Sequence, residues 1–238
     1  MTVSAPAAAD APFSSESLDR LVSILGTDEA RELRAEILGL LAEGVPADGR
    51  AARSHRTRRA IVEAMRTLHG EGDLRPRASC IAERAGVGKR TVWQQFADME
   101  ALLVEASRRD LEILMTMLTP IDVGLPLDER ITRFVRRNAT IYERMAPGWR
   151  AARLHEPFSD ELRRSRQRNN ALGKAEIEAA FAPELRRLPG QRRLQLTGAL
   201  VGIGFWPFWE SLRTDVGVSA EEAQDIVASL LTAALAKP

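Results

Sequence analysis

Residues 81–96 decide the fold of this chain, and they read Ile-Ala-Glu-Arg-Ala-Gly-Val-Gly-Lys-Arg-Thr-Val-Trp-Gln-Gln-Phe. In the first half, Ile81, Ala82 and Ala85 recur at the spacing of one helix face, so the small alanines allow close approach while Ile81 is buried. Gly86 permits the positive φ with which a helix ends and the chain turns sharply. The stretch therefore predicts two short helices joined by a glycine turn.

The second of these helices is expected to have one apolar face and one polar face. Val87, Val92 and Phe96 lie about one turn apart and should pack inward. The five residues on the opposite face are all able to contact nucleic acid, which is typical of a helix-turn-helix DNA reader. They are Lys89, Arg90, Thr91, Gln94 and Gln95.

Basic residues are concentrated around this stretch, although the chain of 238 residues has a net charge of only +1. Residues 50–96 contain 11 basic and 4 acidic side chains, whereas residues 1–49 contain 3 and 9, and residues 97–238 contain 20 of each. A positive surface attracts phosphates and releases counterions from DNA. Charge alone is more typical of a solvated helix face, but its coincidence with the motif favours DNA binding.

The composition predicts a cytoplasmic protein that is not an enzyme. Cys80 is the only cysteine, no apolar run approaches the roughly 18 residues of a membrane span, and the N-terminus lacks the pattern of a signal peptide. The histidines His55, His69 and His155 lack metal-ligand spacing, and neither a phosphate loop nor a nucleophile elbow is present. We therefore expect no catalytic residues, no cofactor and no metal, and we interpret Cys80 as a small buried residue, with a redox-sensing thiol as the alternative.

Apolar residues recur with a 3.6-residue period along almost the whole chain, which predicts an all-α fold. Residues 1–53 are predicted to be an acidic N-terminal extension, with two helices that end at Gly26 and Gly44 and a linker over residues 45–53. A three-helix domain should follow at residues 54–100 and a helical domain at residues 101–238. Asp98 should cap a long helix that Pro120 terminates, and later helices are predicted near residues 128–145, 149–154, 159–181, 191–213 and 219–236.

The order of motifs resembles the tetracycline-repressor (TetR/AcrR) family of bacterial transcriptional regulators. The resemblance covers residues 55–104 specifically and the helical remainder loosely. It is carried by residues 59–68, Ile81-Ala82, Ala85-Gly86-Val87, Thr91-Val92-Trp93, Phe96 and Glu100-Ala101-Leu102-Leu103. The resemblance implies that residues 54–100 bind DNA, that residues 101–238 bind a small-molecule effector and dimerise, and that the protein is a repressor released by an inducer.

Four positions depart from the usual pattern of that family. Gly88 stands where a helix-capping serine is common, and Trp93 replaces a tyrosine whose hydroxyl bonds a phosphate. An indole N–H donates a hydrogen bond but accepts none. Gln95 stands at a position where histidine or tyrosine is frequent. Met99 stands at a position where lysine is frequent, and loss of that lysine removes one phosphate contact.

The DNA-contacting residues divide by expected role into base readers and phosphate contacts. Lys89 and Arg90 can donate to guanine O6 and N7 in the major groove, and Gln94 is a second candidate base reader. The remaining side chains should bind phosphates and set the register, although Trp93 is about as well explained as a core residue. They are Arg77, Ser79, Thr91, Trp93 and Gln95.

One recognition helix covers only a few base pairs, so useful specificity requires a homodimer that reads an inverted-repeat operator in double-stranded DNA. The last two helices are the expected dimer surface, with Gly198 and Gly202 one turn apart and an apolar face over residues 223–234. The alternative is that this face completes the core of the monomer.

The resemblance also implies an inducer pocket, for which eight residues of the C-terminal domain offer apolar walls with a few polar tips. Each of them is individually more typical of plain core. The candidates are Phe134, Asn138, Tyr142, Trp149, His155, Phe158, Phe205 and Trp206.

A second functional hypothesis follows from the acidic N-terminal extension. It could compete with phosphate for Arg56, Arg58, Arg59 or Lys89, which would leave a protein-interaction regulator whose DNA binding is weakened or masked. The plainer alternative is that the extension packs its leucine stripe on the body of the protein.

Overall fold

The computed structural model describes residues 23–24, 31–41 and 49–236, and this part of the chain is helical without strands. The predicted all-α class is therefore confirmed for the described residues. A short 3-10 helix, Glu156–Phe158, and a π-helical turn, Leu212–Val216, accompany the α-helices. The α-helices are α1 (Arg31–Leu41), α2 (Gly49–Gly70), α3 (Ala78–Arg84), α4 (Lys89–Gln95), α5 (Met99–Met117), α6 (Leu127–His155), α7 (Asp160–Ala180), α8 (Ala182–Arg186), α9 (Gly190–Gly204), α10 (Trp206–Ser211) and α11 (Ala220–Leu235).

Three clusters of buried apolar side chains hold these helices together. The first joins α2, α3, α4 and the first half of α5 around Ile61, Ile81 and Val92. The second joins α1, the second half of α5 and the middle of α6 around Ile37 and Met115. The third joins α6 and α7 to the C-terminal helices α9, α10 and α11. Because α5 contributes to two clusters, it connects the N-terminal helices to the rest of the protein.

Several predicted helix starts are confirmed by their capping bonds. Asp98 accepts a hydrogen bond from the backbone N–H of Ala101 at 2.8 Å, and Ser159 caps α7 in the same way. Ser219 and Glu222 form a reciprocal capping box at the start of α11. A cap of this kind stabilises a helix by roughly 1 kcal/mol because it satisfies orphan backbone donors. Helix α5 ends at Met117, three residues before Pro120.

The N-terminal extension is described only in part. Residues 23–24 are helical, whereas the rest of the first predicted helix, Gly26 and Gly44 lie outside the described residues. Helix α1 falls within the second predicted helix and buries Ile37 completely. Its Glu36 forms an ion pair with Arg168 at 3.1 Å. Residues 31–41 of the extension therefore pack against the later helices of the protein.

The predicted linker over residues 45–53 is wrong at its C-terminal end, because α2 already begins at Gly49. Residues 50–53 are Arg-Ala-Ala-Arg, and both residue types are among the strongest helix formers. The turn residues Pro46 and Asp48 precede this segment and therefore do not interrupt it.

The prediction of separate helices at residues 128–145 and 149–154, divided at Pro147 and Gly148, is also wrong, since α6 runs without interruption from Leu127 to His155. Proline inside a helix costs roughly 3 kcal/mol because it removes one backbone hydrogen bond. Met145 and Ala146 before the proline region and Ala151 after it are all buried. Packing on both sides therefore outweighs the local preference for a break.

A break occurs instead within the predicted helix 191–213, at Phe205. Its backbone is extended, with φ −91° and ψ 155°, between α9 and α10. Pro207 occupies the first turn of α10 and has no N–H with which to continue the hydrogen-bond ladder of α9. The chain therefore changes direction at Phe205, and this places Phe205 and Trp206 beside α6 and α7.

Candidate nucleic-acid interface and ligand cavity

Helices α3 and α4 are joined by the turn that the sequence predicts. Gly86 has φ +66°, in the left-handed region that favours glycine. The backbone N–H of Val87 donates to the carbonyl of Ala82 at 2.9 Å, which closes the end of α3. Gly88 then starts α4 in extended conformation without a side-chain cap. The two short helices and their turn form one compact unit.

The inner face of this unit is fixed by buried side chains. Ile81 and Val92 are fully buried and Phe96 is 2% exposed, while Val87 is partly buried against them. The guanidinium of Arg58 lies over the Phe96 ring, with Cζ 4.1 Å from the ring centroid. Because these contacts join α3 and α4 to α2 and α5, the outward face of α4 has a defined orientation.

The outward face presents every residue predicted from sequence to contact DNA. Lys89, Arg90 and Gln94 are exposed, and neither cation forms an ion pair within the part of the chain that the structure describes. Trp93 is 41% exposed, which excludes the core position that its apolar ring allowed. The remaining residues at this face are Arg77 and Ser79, which are exposed, and Thr91 and Gln95, which are half-buried.

The C-terminal end of α4 is held to the neighbouring helices by hydrogen bonds. Arg58 of α2 donates to the backbone carbonyl of Gln95 at 2.6 Å and to the carboxylate of Glu105 on α5 at 3.1 Å. The Ser54 hydroxyl donates to the side-chain oxygen of Gln95 at 3.2 Å. Gln95 thus has a structural role in addition to its position at the outward face.

A continuous ladder of ion pairs extends from this point along the interface of α2 and α5. Arginines alternate with acidic residues along it, and successive N–O distances lie between 2.5 and 3.1 Å. The members in order are Arg58, Glu105, Arg108, Glu112, Arg109, Glu63, Arg66 and Asp110. We call this series the charge ladder.

The two ends of the charge ladder differ in their electrostatics. Burial by itself would raise the pKa of Glu105, but hydrogen bonds from Arg108 and Arg58 outweigh it and hold that pKa below its usual range. At the other end, burial of Asp110 outweighs the charge of Arg66 and raises the pKa of the Asp110 carboxyl. Asp110 is 6% exposed, so its ion pair with Arg66 is essential to keep a charge at this depth.

Asp110 also lines a cavity of about 150 Å³ between α5, α6, α7 and α10. The cavity brings together six of the eight residues predicted to form an effector pocket. They are Phe134, Asn138, Tyr142, Trp149, Phe205 and Trp206. Aromatic rings pack against one another on its wall, with Trp149 and Trp206 at 5.5 Å between centroids.

The other two predicted pocket residues lie elsewhere. Phe158 is 86% exposed because the 3-10 helix Glu156–Phe158 carries it out to solvent. His155 ends α6 and is not part of the cavity wall. Desolvation and the nearby charge of Arg75 lower the pKa of His155.

Polar residues of the cavity wall were missed in the sequence, although a signal for two of them exists. Asp110 stands between Ala106 and Leu114 on the apolar stripe of α5, and Glu176 stands four residues after Leu172 on the stripe of α7. An acid on an apolar stripe is expected to be buried with a partner. The wall also contains Arg153, Glu156, Arg166, Asn169 and Asn170.

Two buried polar atoms, each on a residue that lines the cavity, have no hydrogen-bond partner within the described chain. They are the indole N–H of Trp206, which donates, and the side-chain oxygen of Asn169, which accepts. Tyr142 differs from them, because its hydroxyl donates to the carbonyl of Gly204. Burial raises the pKa of Tyr142, so the hydroxyl keeps its proton. A buried polar atom without a partner has a free-energy cost that a ligand can relieve.

The C-terminal helices have a different exposed face from the one expected. Ala223, Val227 and Leu231 of α11 are buried in the protein's own core, as the alternative interpretation held. Leu194 remains 71% exposed on α9 and Leu230 39% exposed on α11. Gly198 and Gly202 of α9 are exposed as well, and a Cβ at either position would have open space around it.

Cys80 and His69 differ in their exposure to solvent. Cys80 is exposed, contrary to the prediction, because it lies off the buried stripe formed by Ala78, Ile81 and Ala82. His69 is buried and neither ring nitrogen has a partner among the described residues. Desolvation and the charge of Arg66 lower its pKa to about 4. In the described ranges no three His, Cys, Asp or Glu side chains are grouped as metal ligands would be.

Among the described helices, none combines the length and the apolar character that crossing a membrane requires. No protein-family profile, curated protein or solved structure matches this chain.

Proposed function

We propose that this protein is a dimeric, sequence-specific DNA-binding transcriptional regulator of the TetR type, and that it acts as a repressor which a small molecule releases from DNA. The observation that carries the proposal is the exposed pair Lys89 and Arg90, which have no acidic partner in the described chain and begin the outward face of α4. The excess of basic residues over residues 50–96 supports it.

In this proposal α4 is the recognition helix and lies in the major groove. Lys89 and Arg90 donate to the edges of guanine bases, and Gln94 reads a further base. Arg77, Ser79, Thr91 and the indole N–H of Trp93 bind phosphates on either side and set the register. The exposed Trp93 ring agrees with this role, because a phosphate contact requires an accessible donor.

The test is selection of DNA fragments from a genomic library by the purified protein. We expect enrichment of an inverted repeat, since two symmetric copies read two half-sites about one helical turn apart. The variant Lys89→Ala, Arg90→Ala should lose that enrichment, because each lost base contact costs roughly 1–3 kcal/mol. Its binding should also depend less steeply on salt.

The matched control is Arg186→Ala, Arg187→Ala, which removes an adjacent pair of exposed cations at the end of α8. This variant should recover the same repeat with unchanged affinity. Equal losses in both variants would show a general effect of charge and contradict base reading by α4. Failure of the unaltered protein to enrich any sequence at moderate salt would refute the DNA-binding proposal as a whole.

The proposed dimer surface is the exposed face of α9 and α11. Leu194 and Leu230 supply apolar area, and Gly198 and Gly202 allow a helix of a second copy to approach closely. Stable interfaces bury roughly 800 Å² on each partner, which two helices of this length can provide. Leu230→Arg should convert dimer to monomer in sedimentation velocity, whereas Phe158→Arg, at an exposed apolar residue on another surface, should leave the dimer intact.

The charge ladder is the proposed connection between effector and DNA. Asp110 lines the cavity, and its partner Arg66 lies on α2, which packs against α3 and α4. A ligand that displaces Asp110 changes the contacts that hold the recognition helix α4 in place. It therefore favours one arrangement of the dimer over another. Release of DNA requires that the ligand and the DNA prefer different shapes.

The alternative is a regulator whose DNA binding is masked by the acidic N-terminal extension. The charge imbalance between residues 1–49 and residues 50–96 favours it. Replacing Asp10, Glu16, Asp19, Asp28 and Glu29 by their amides leaves Ile37 in place and tests the idea directly. Masking predicts tighter DNA binding by this variant at low salt, and unchanged affinity would exclude it.

A further inference from the structure

The charges around the cavity limit the kind of ligand it accepts. Each acidic side chain on the wall is already paired with an arginine, so no negative charge is left to attract a cation. Asp110 pairs with Arg66 at 2.8 Å, Glu176 with Arg137 at 2.9 Å, and Glu156 with Arg166 at 2.7 Å.

One cation on the wall is not balanced in this way. Arg153 lines the cavity and forms no ion pair within the described residues. Its guanidinium lies over the indole ring of Trp206, with Cζ 5.2 Å from the ring centroid. Arg153 is exposed, so its charge lies where the cavity meets solvent, and a ligand can reach it without first being fully desolvated.

A second donor lies next to that charge. The Trp206 side chain is more than nine-tenths buried, and its indole N–H has no hydrogen-bond partner in the described chain. The N–H belongs to the same indole ring over which the Arg153 guanidinium lies. A carboxylate has two acceptor oxygens and forms its strongest hydrogen bonds with charged donors.

The apolar part of the cavity wall is suited to an aromatic ring. Phe134, Phe205 and Ile177 line it, and they bring no charge. Its volume of about 150 Å³ equals that of an engineered protein cavity that holds one benzene molecule. The unpartnered oxygen of Asn169 adds one acceptor for a hydroxyl group of the ligand.

We propose that the cavity binds a single-ring aromatic carboxylate, with the carboxylate on Arg153 and the Trp206 N–H and the ring among the apolar side chains. The role of this ligand as an effector rests on the proposed function. Binding itself can be measured in the absence of DNA.

The test uses the full chain and isothermal titration with 4-hydroxybenzoate, its neutral analogue 4-hydroxybenzamide and the cation 4-hydroxybenzylamine. We expect the acid to bind at least tenfold more tightly than the amide, and the amine to bind more weakly than either. Trp149 and Trp206 line the cavity, so tryptophan fluorescence gives an independent readout.

Two variants of exposed arginines on α6 separate the specific contact from a general effect of charge. Arg153→Gln should reduce the preference for acid over amide to less than threefold while binding of the amide stays the same. Arg144→Gln, the control on the same helix, should leave that preference unchanged. A third variant, Trp206→Phe, removes the N–H but keeps an aromatic ring, and it should lower the affinity for the acid.

The proposal is overturned if the acid does not bind, if the amine binds more tightly than the acid, or if Arg153→Gln keeps the tenfold preference. Its failure is distinct from failure of the regulatory proposal. Tight acid binding without any effect on DNA, or without DNA binding at all, supports the cavity assignment and refutes only the regulatory function.

Discussion

Gly148→Ala should destabilise the protein, although alanine is a better helix former than glycine. Gly148 lies inside α6, where the exchange by itself contributes about 1 kcal/mol of stability. A Cβ at this position would lie 2.3 Å from Oδ2 of Asp110, well inside van der Waals contact. Asp110 is buried and its other oxygen accepts from Arg66 at 2.8 Å, so the carboxylate cannot move without disturbing that bond.

The magnitude follows from these opposing effects. Forcing an extra carbon into a packed site costs roughly 1–3 kcal/mol, and breaking a buried ion pair outright costs roughly 3–5 kcal/mol. A shift that strains the pair without breaking it lies at the lower end. After the gain in helix propensity, we expect a net loss of about 2 kcal/mol in the free energy of unfolding.

Urea unfolding of four proteins measures this prediction: the unaltered chain, Gly148→Ala, Asp110→Ala and the double variant. If the collision with Asp110 causes the loss, Gly148→Ala should be neutral or stabilising by up to about 1 kcal/mol when Asp110 is already alanine. Gly39→Ala in α1 is the control, because a Cβ there meets nothing within 4 Å. An equal loss of about 2 kcal/mol in both backgrounds would refute the reasoning.

Three further predictions test local features of the fold. Acidification should destabilise the protein through His69, whose pKa is about 4 when folded against 6.5 for an ordinary histidine. The unfolded chain takes up the proton first, so stability falls as the pH drops from about 6.5 to 4 and the loss reaches about 3 kcal/mol. His69→Leu should lack this component, and a constant stability difference between variant and parent from pH 7 to 4 would contradict it. Gly86→Ala should cost roughly 1–2 kcal/mol by thermal unfolding because its φ is +66°, whereas Gly39→Ala, inside α1 and without a positive φ, should not destabilise the protein. Ser219→Ala should cost about 1 kcal/mol through loss of the capping box, and hydrogen exchange should rise only in the first turn of α11.

Local rules predicted the features whose causes lie within a few residues of sequence. The turn at Gly86, the cap at Asp98 and the helix starts near residues 159 and 219 depend on backbone conformation and on short-range hydrogen bonds. The buried positions of Val92 and Phe96 follow from helical spacing, because the period of the helix decides which residues share a face. Such features can be predicted without knowledge of the neighbouring helices.

The failures have causes that lie far away in sequence. Continuity of α6 through Pro147 depends on packing at both ends of the proline region, and the same proline in an isolated helix would favour a break. Cys80 is exposed because the core reaches only the face of α3 that contains Ile81. Phe158 was expected in the pocket, but the 3-10 helix turns its ring to solvent.

The sequence by itself determined the all-α class, the two short helices around Gly86 and the identity of the cationic face with Lys89 and Arg90. These depend on periodicity, propensity and charge, which are local properties of the chain. Only the tertiary structure decided that Asp110 meets both Arg66 and the cavity, and that Trp206 lies beneath Arg153 with its N–H unpartnered. Both contacts join residues more than 40 positions apart, and the second also depends on the break at Phe205. No periodic pattern in the sequence specifies which helix faces will meet.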